Sequence, residues 1–168
     1  KGFLVLQPQY RGSKGYGQRF YQIAFSKGGQ GGYKMQDDKD DGVAWAVAEG
    51  LASSDRVAMF GWSYGGYAAL VAAARTPQIY QCVIAGAAVT DTEMQVNYYR
   101  YRLRGRSKVE QLRMWDDSVS PINEVEQVNV PILLIHGTVD QRVPLEHARK
   151  YRRALLKAEK DHIYLELN

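Results

Sequence analysis

The stretch Gly61-Trp62-Ser63-Tyr64-Gly65-Gly66 constrains the fold of this chain more than any other. It follows a short, mainly apolar run at 56–60 and opens a segment at 67–75 that is almost all Ala, Leu and Val. This context indicates a strand, a sharp turn and a helix, which is what a G-x-S-x-G nucleophile elbow requires. Such a turn holds its serine in a strained backbone conformation at the carboxyl edge of a sheet, with the hydroxyl exposed.

The glycines of this elbow have a predicted steric role. A side chain at Gly61 or Gly65 is expected to collide where strand and helix approach most closely. The elbow also directs the helix N-terminus at the reaction centre, so the backbone N–H of Tyr64 is expected to bind a developing oxyanion. The motif alone is weak evidence for a nucleophile elbow, because it occurs by accident in roughly one chain of this length in twenty. A plain Gly/Ser turn therefore has to be weighed against the rest of the chain.

Length and composition set the outer bounds. The 168 residues suffice for one domain with a substantial core, and a net charge of +4 is too modest to indicate an acidic partner. The sequence contains no apolar run as long as a membrane span and no recognisable signal peptide. The lone Cys82 excludes an internal disulfide. Because a strand-like run begins at Phe3 and another ends at Leu167, we expect the chain to be a piece of a larger protein.

Apolar runs that alternate with helical patterns predict a parallel α/β sheet. Besides the elbow strand, the sequence predicts buried strands at 3–7, 82–89, 131–135 and 163–167. A short helix is expected near 20–25, where aromatic residues recur at helical spacing, and a flexible connection at 28–32. A further helix follows residue 144, with Leu145, Ala148, Tyr151 and Leu155 on one face.

Two clusters of charged residues suggest binding sites at first. Acidic residues crowd 37–41, but in calcium-loop register Lys39 and Ala48 stand where ligands are needed. These acids complement the dipole of a helix that ends near Gly50, and no metal site is expected. Tyrosines and basic residues interleave at 98–108, yet no nucleic-acid-binding motif accompanies them. A solvated irregular segment over the sheet edge, spanning Thr90 to Asn129, is the better interpretation.

Asp140 is the second candidate for chemistry. It lies just past the carboxyl end of a predicted strand, two βα units beyond the elbow and on the same sheet edge as Ser63. A turn residue or a helix cap is the plain alternative. Together with Ser63, however, Asp140 reproduces the Ser, Asp, His chain order of α/β hydrolases, in which the acid orients the imidazole.

Four motifs combine into one pattern that covers nearly the whole chain. They are the elbow at 61–66, the loop Tyr-Arg-Gly-Ser-Lys-Gly-Tyr-Gly at 10–17, Ser120-Pro121, and Pro-Ile-Leu-Leu-Ile-His-Gly-Thr-Val-Asp at 131–140. This pattern resembles the catalytic domain of prolyl oligopeptidase family serine peptidases, in the dipeptidyl-peptidase and acylaminoacyl-peptidase branches. The resemblance implies an α/β-hydrolase fold, a mostly parallel sheet with flanking helices, of which residues 1–168 form a single partial domain.

The resemblance also implies roles for particular residues. Ser63 would be the nucleophile, Asp140 the triad acid and the Tyr64 N–H one oxyanion donor, with no cofactor and no metal. In the family, a second oxyanion donor and a β-propeller lie upstream of the region that corresponds to this chain.

The resemblance extends to the substrate pocket. Trp62, Tyr99 and Val143 match pocket positions, and Arg142 replaces a polar residue that contacts the substrate carbonyl in the dipeptidyl-peptidase branch. A second pocket tyrosine of that branch is Gln95 here, which argues against strict specificity for cleavage after proline. A preference for an apolar residue before the scissile bond is expected.

None of the three histidines fits the triad base. His162 opens the last strand at the opposite edge of the sheet, roughly 20 Å from the active end. His147 lies on the helix after Asp140, where an exposed or partly packed position is expected. His136 precedes the acid, whereas the family's base follows it. The base is therefore expected just after Asn168.

Three functions stay open at this point. The first is a serine peptidase acting on short peptides, with no nucleic acid or membrane as partner. The second is a carboxylesterase, because elbow and triad do not distinguish amide from ester substrates. The third is a non-catalytic interaction domain, against which the intact Ser63 and Asp140 argue. A homo-oligomer of the full-length protein, and its compartment, stay open.

Overall fold

The computed structural model describes residues 2–25, 30–116 and 118–168. Within these residues, four parallel strands form one sheet in the order β1-β2-β3-β4. The strands are β1 Ala58–Trp62, β2 Cys82–Gly86, β3 Ile132–Gly137 and β4 His162–Leu167. The helices are α1 Gln18–Gln22, α2 Met35–Ala48, α3 Tyr64–Ala73, α4 Thr92–Arg102, α5 Gly105–Asp116 and α6 Glu146–Lys157, with 3-10 turns at Ile23–Phe25 and Pro121–Gln127 and a π-helical turn at Gln30–Lys34.

The sequential strand order decides where the helices lie. Parallel strands are joined by right-handed crossovers, so connections that all step in one direction lie on one face of the sheet. Accordingly, α3, between β1 and β2, and α6, between β3 and β4, contribute to a single core with the inward side chains of the sheet. On the other face, Phe60, Trp62, Ile163 and Leu165 remain 43–67% exposed within the described residues.

The predicted strand at the start of the chain is wrong. Residues 2–10 form no strand, and the Phe3 and Val5 side chains are 89% and 82% exposed. All residues of 2–10 except Val5 border a cavity beside β1 together with Met59 and Phe60. An apolar run supplies side chains suited to a strand, but a strand also needs the backbone of a neighbour, and residues 2–10 pair with no strand in the described part of the chain.

The prediction of an irregular segment at 90–129 is also wrong, because α4, α5 and a 3-10 turn occupy most of it. Asp91 begins α4 as an N-cap, its Oδ1 accepting a hydrogen bond from Met94 N–H at 3.0 Å. The sequence of α4 alternates Tyr and Arg and has no continuous apolar stripe, while its buried residues are Thr92 and Gln95. A helix that packs through polar side chains leaves no periodic hydrophobic signal.

The other helix predictions are largely confirmed. The region 20–25 is helical in α1 and the 3-10 turn after it, and α6 buries Ala148, Tyr151 and Leu155. Residues 28 and 29 of the predicted flexible connection lie outside the described residues, and Gln30–Lys34 is a π-helical turn leading into α2.

Three of the four aspartates of α2 bind arginines. Asp38 accepts hydrogen bonds from the backbone and guanidinium of Arg11, and Arg75 pairs with Asp37 and Asp40. Although burial opposes ionisation of Asp38, the Arg11 hydrogen bonds outweigh it and lower the pKa of this carboxyl. Among the described residues, no group of three or more His, Cys, Asp or Glu side chains could hold a metal ion. In the same part of the chain, no helix has the length and apolarity needed to cross a membrane.

The steric prediction for the elbow glycines is half right. A Cβ at Gly61 would clash with the backbone of Gly65, as predicted, but a Cβ at Gly65 meets nothing within 4 Å among the described residues. The second tight position is Gly66, where a Cβ would clash with the carbonyl oxygen of Gly86 and approach Ala88 at 3.0 Å. The close approach of α3 to β2 is therefore located one residue later than the motif suggests.

Because a side chain fits at Gly65 but not at Gly66, the two positions give a matched test of the packing. We expect Gly66→Ala to destabilise the full-length protein by about 1–3 kcal/mol, because the backbones of α3 and β2 would have to separate. Gly65→Ala, on the same helix, should change the free energy of unfolding by less than about 0.5 kcal/mol. Denaturant unfolding followed by fluorescence measures both, and equal losses for the two variants would contradict the assignment.

Candidate active site

Ser63 occupies the strained turn between β1 and α3. Its backbone has φ 57° and ψ −115°, a region that favours glycine. Ser63 N–H donates to Gly86 O at 2.8 Å, and Ser63 O accepts from Tyr67 N–H at 3.0 Å. The side chain is exposed and forms no capping hydrogen bond with α3. The hydroxyl is thus presented at the carboxyl edge of the sheet by a backbone that is fixed on both sides.

The N-terminus of α3 provides a hydrogen-bond donor beside this hydroxyl. Tyr64 N–H has no hydrogen-bond partner among the described residues, and the helix dipole favours negative charge at this end. The Tyr64 hydroxyl donates to Gly31 O at 2.6 Å, and its ring lies against Tyr10 and Trp115. Burial raises the pKa of the Tyr64 phenol well above its usual value, so the hydroxyl keeps the proton that it donates.

Asp140 lies in the loop after β3. Its Oδ1 accepts hydrogen bonds from Arg142 N–H at 2.8 Å and Val143 N–H at 3.0 Å. Its Oδ2 lies 3.7 Å from His136 Nε2, too far for a hydrogen bond. One carboxylate oxygen therefore shapes the loop, while the other has no hydrogen-bond donor within the described part of the chain.

The sheet sets the spacing between the two candidate groups. Ser63 follows β1 and Asp140 follows β3, and β2 lies between these strands. Two strand spacings amount to about 10 Å. An imidazole with a hydrogen bond at each nitrogen spans about 8 Å. The framework therefore leaves room for one imidazole between the serine and the aspartate.

A cavity of about 560 Å³ opens at this edge. It brings together five of the residues predicted for the site: Ser63, Tyr64, Tyr99, Arg142 and Val143. Asp140 does not line the cavity itself but supports its wall through the loop residues that follow it. Further lining residues that sequence analysis did not assign to a pocket are Tyr10, Phe25, Val89, Tyr98, Arg102 and Trp115.

Trp62 is separated from this cavity. Its ring lies directly over Gly86, where a Cβ would clash with it, and its side chain is 52% exposed. Because successive residues of a strand point to opposite faces, the residue just before Ser63 extends over the sheet face that the helices leave open. Its predicted contact with substrate stays a prediction.

The apolar wall of the cavity is continuous with a small core. Tyr67, Val71, Val89, Trp115 and Val143 are buried together, and Tyr64 and Tyr99 pack against them. Trp115 escaped sequence analysis because α5 lies in the segment interpreted as irregular. The signal that could have identified it is the N-cap at the start of α4, which predicts helical structure from Thr92 onward.

None of the chain's three histidines, all within the described residues, lines this cavity. His162 pairs with Ile132 at the opposite end of the sheet. His147 is fully buried, so the predicted exposed or partly packed position is wrong. The first turn of α6 lies against Thr90, and the Thr90 N–H donates to His147 Nδ1 at 3.2 Å. Burial, mainly, lowers the pKa of His147 to about 4 and keeps it neutral. His136 is also fully buried, and its Nε2 bonds to Val143 O at 2.9 Å.

Comparison with known proteins places this site in a family. The profile of the prolyl oligopeptidase family matches residues 1–167. Dipeptidyl aminopeptidase BIII of Pseudoxanthomonas mexicana is 31% identical over 85% of this chain and 22% of its own length. Dipeptidyl peptidase family member 6 of Caenorhabditis elegans is 33% identical over 97% of this chain and 23% of its own length. The chain thus spans less than a quarter of the length of these relatives.

Solved structures agree on the fold. The acylaminoacyl peptidase of Pyrococcus horikoshii superposes with a TM-score of 0.77 at 22% identity, over 95% of this chain and 26% of its own. A dipeptidyl aminopeptidase IV-like protein of Bacteroides ovatus gives a TM-score of 0.73 at 24% identity, over 94% of this chain and 22% of its own. The expected α/β-hydrolase architecture is confirmed, and the match along nearly its entire length shows that this chain belongs to the prolyl oligopeptidase family.

Proposed function

We propose that this chain is the catalytic part of a serine peptidase that hydrolyses peptide bonds in short peptides. The observation that carries the proposal is the placement of Ser63, on a strained elbow with a helix N-terminus behind it, at the same sheet edge as Asp140. The proposal is also supported by membership of the prolyl oligopeptidase family and by similarity to a dipeptidyl aminopeptidase and to acylaminoacyl peptidases.

In the proposed reaction, Ser63 Oγ attacks the scissile carbonyl carbon while a histidine takes its proton. The carbonyl oxygen becomes an oxyanion and accepts a hydrogen bond from Tyr64 N–H. The histidine returns the proton to the leaving amine, which departs and leaves an acyl-enzyme. Water, activated by the same histidine, then releases the acid and regenerates the serine. Asp140 Oδ2 orients the imidazole and stabilises its protonated form.

The proposed base lies outside this chain, shortly after Asn168. Strand β4 ends at Leu167 beside Gly137, so the chain leaves the sheet at the same edge as Ser63 and Asp140. A residue that follows this strand by a few positions starts within reach of the gap between the two groups. None of the three histidines within the chain has such a position.

The cavity supports a preference for an apolar side chain next to the scissile bond. Its wall beside Ser63 is formed by Tyr64, Val89, Tyr99, Trp115 and Val143. An apolar side chain that enters this wall would be desolvated, which stabilises the complex. Arg142 and Arg102 line the same cavity, where their guanidinium groups can donate to substrate carbonyls.

The first prediction concerns the nucleophile. Ser63→Ala in the full-length protein should abolish labelling by a fluorophosphonate probe and lower turnover of a peptide substrate on the order of 10⁶-fold, because no other group can form the acyl-enzyme. Ser54→Ala, at an exposed serine before β1, is the matched control and should label normally. Labelling of the Ser63 variant at the normal rate would overturn the assignment.

The second prediction concerns the acid. Asp140→Asn keeps an Oδ1 acceptor for the two loop amides but removes the charge, so the loop should keep its shape while kcat falls by about 10⁴, the scale known for this change in a chymotrypsin-type triad. The control is Asp161→Asn, at an exposed aspartate before β4. Steady-state kinetics on an activated peptide substrate measures both. A loss of less than tenfold would reduce Asp140 to a loop residue.

The third prediction concerns specificity. Tyr99→Ala should change kcat/KM unequally for substrates with Pro, Ala or Phe before the scissile bond, because it removes part of the wall that these side chains contact. Tyr101→Ala, at an 85% exposed tyrosine of the same helix, should leave all three values within twofold. Equal losses for all three substrates with the Tyr99 variant would mean that Tyr99 only supports α4.

A further inference from the structure

The loop that carries Asp140 is held by side chains at three consecutive carbonyl groups. A surface loop normally leaves such carbonyls to water. Here each of them accepts a hydrogen bond from a different side chain. The pairs are Tyr98 Oη to Gln141 O at 2.6 Å, Gln95 Nε2 to Arg142 O at 3.2 Å, and His136 Nε2 to Val143 O at 2.9 Å.

The three donors reach the loop from two sides. Gln95 and Tyr98 are three residues apart in α4, so they project from one face of that helix. His136 belongs to β3 and lies beneath the loop, with its Nε2 3.7 Å from Asp140 Oδ2. Asp140 Oδ1 in turn accepts hydrogen bonds from the N–H groups of Arg142 and Val143, so side-chain and backbone bonds together hold the loop.

Two of these donors are unfavourable for folding. Gln95 and His136 are fully buried, yet Gln95 Oε1 and His136 Nδ1 have no hydrogen-bond partner among the described residues. Because Arg142 O and Val143 O can only accept, the facing atoms of Gln95 and His136 must be N–H donors. The unpaired Gln95 Oε1 is then an acceptor, as Nδ1 is in the Nε2–H tautomer of His136. Buried acceptors without a donor destabilise a protein, so each of these two side chains carries a cost in folding beside the hydrogen bond that it donates.

We propose that Gln95, Tyr98 and His136 are positioning residues that hold the Asp140 loop so that Oδ2 faces the triad base. This inference rests on the proposed role of Asp140. It assigns a function to α4 besides lining the cavity, because the helix that contributes Tyr99 to the wall also fixes the acid. A displacement of catalytic groups by about 1 Å can lower a rate 10²-fold. Loosening of this loop is therefore expected to reduce kcat more than it raises KM, although Arg142 and Val143 of the same loop line the cavity.

The experiment removes one donor at a time from the full-length protein. Tyr98→Phe deletes a single hydroxyl, and Gln95→Met replaces the amide by an apolar chain of similar length. We expect each to lower kcat about tenfold while KM changes by a smaller factor. Tyr101→Phe makes the same atomic change as Tyr98→Phe on the exposed side of α4 and should have no effect. For His136, Gln retains an N–H donor near the Nε2 position, whereas Met does not, so His136→Gln should keep more activity than His136→Met.

The pH dependence of kcat/KM separates positioning from folding. The Asp140 carboxylate favours the protonated imidazole and so raises the pKa of the base. A loosened carboxylate raises it less, and the acidic limb of the profile should shift to lower pH in Tyr98→Phe and Gln95→Met. A loss of folded enzyme would lower the plateau, together with the fraction that a fluorophosphonate titrates, without moving the limb.

Several results would overturn the proposal. Retention of kcat within twofold in both α4 variants would do so, as would a loss with an unmoved acidic limb and a matching loss of titratable sites. Asp140→Asn distinguishes the positioning role of the α4 residues from the proposed triad role of Asp140. If it abolishes turnover while the α4 variants do not reduce it, the positioning role is wrong and the triad stands. In an Asp140→Asn background, Tyr98→Phe should have little further effect, because both changes act through one group.

Discussion

The close contact between the start of α3 and the end of β2 determines the geometry of this edge of the sheet. Gly66 lies so near the Gly86 carbonyl that no side chain fits between them. The same carbonyl accepts the hydrogen bond from Ser63 N–H. Since Gly86 pairs with Trp62 in the ladder, the position of the serine follows from the register of β1 against β2. A slip of one residue would move Ser63 to the other face of the sheet.

The pairing of β2 with β3 places Asp140 in the same way. β3 pairs with β2 as far as Ile135 and ends at Gly137, and the loop that follows turns back over its own strand through Asp140 and His136. The connection from β2 to β3 is the long one, and it contains α4 and α5. It supplies both the cavity wall, through Tyr99 and Trp115, and two of the side chains that bond the acid loop. One insertion between neighbouring strands therefore contacts both the cavity and the loop of Asp140.

Those parts of the fold that depend on local pattern could be predicted from the sequence. The elbow, β3 and the buried face of α6 each have a short-range signal: glycines beside a serine, a β-branched run, or apolar residues at helical spacing. Residues 2–10 have the composition of a strand but no pairing partner in the described residues, and pairing is a non-local property. The buried state of His147 was missed for the same reason, since the Thr90 segment that covers it is distant in sequence.

The site could be predicted only in outline. Ser63, Tyr64, Tyr99, Arg142 and Val143 were identified from motifs and do share a cavity, whereas Trp62 does not. Motif position alone does not say on which side of a strand a side chain emerges. Similarly, the motif identifies Gly65 as the tight position, although the contact that excludes a side chain is made at Gly66, because it depends on where β2 passes.

The backbone at Ser63 has a consequence for how such a chain changes over evolutionary time. Every hydrogen bond that the structure gives this residue is made by its backbone, at a φ of 57° that strains any residue except glycine by about 1–3 kcal/mol. Glycine at this position would keep those bonds and relieve the strain. In a lineage that had lost its reaction, random substitution would thus drift toward glycine, and the gain in stability would help to retain it. Under the proposed reaction, selection for its hydroxyl maintains the serine at this position.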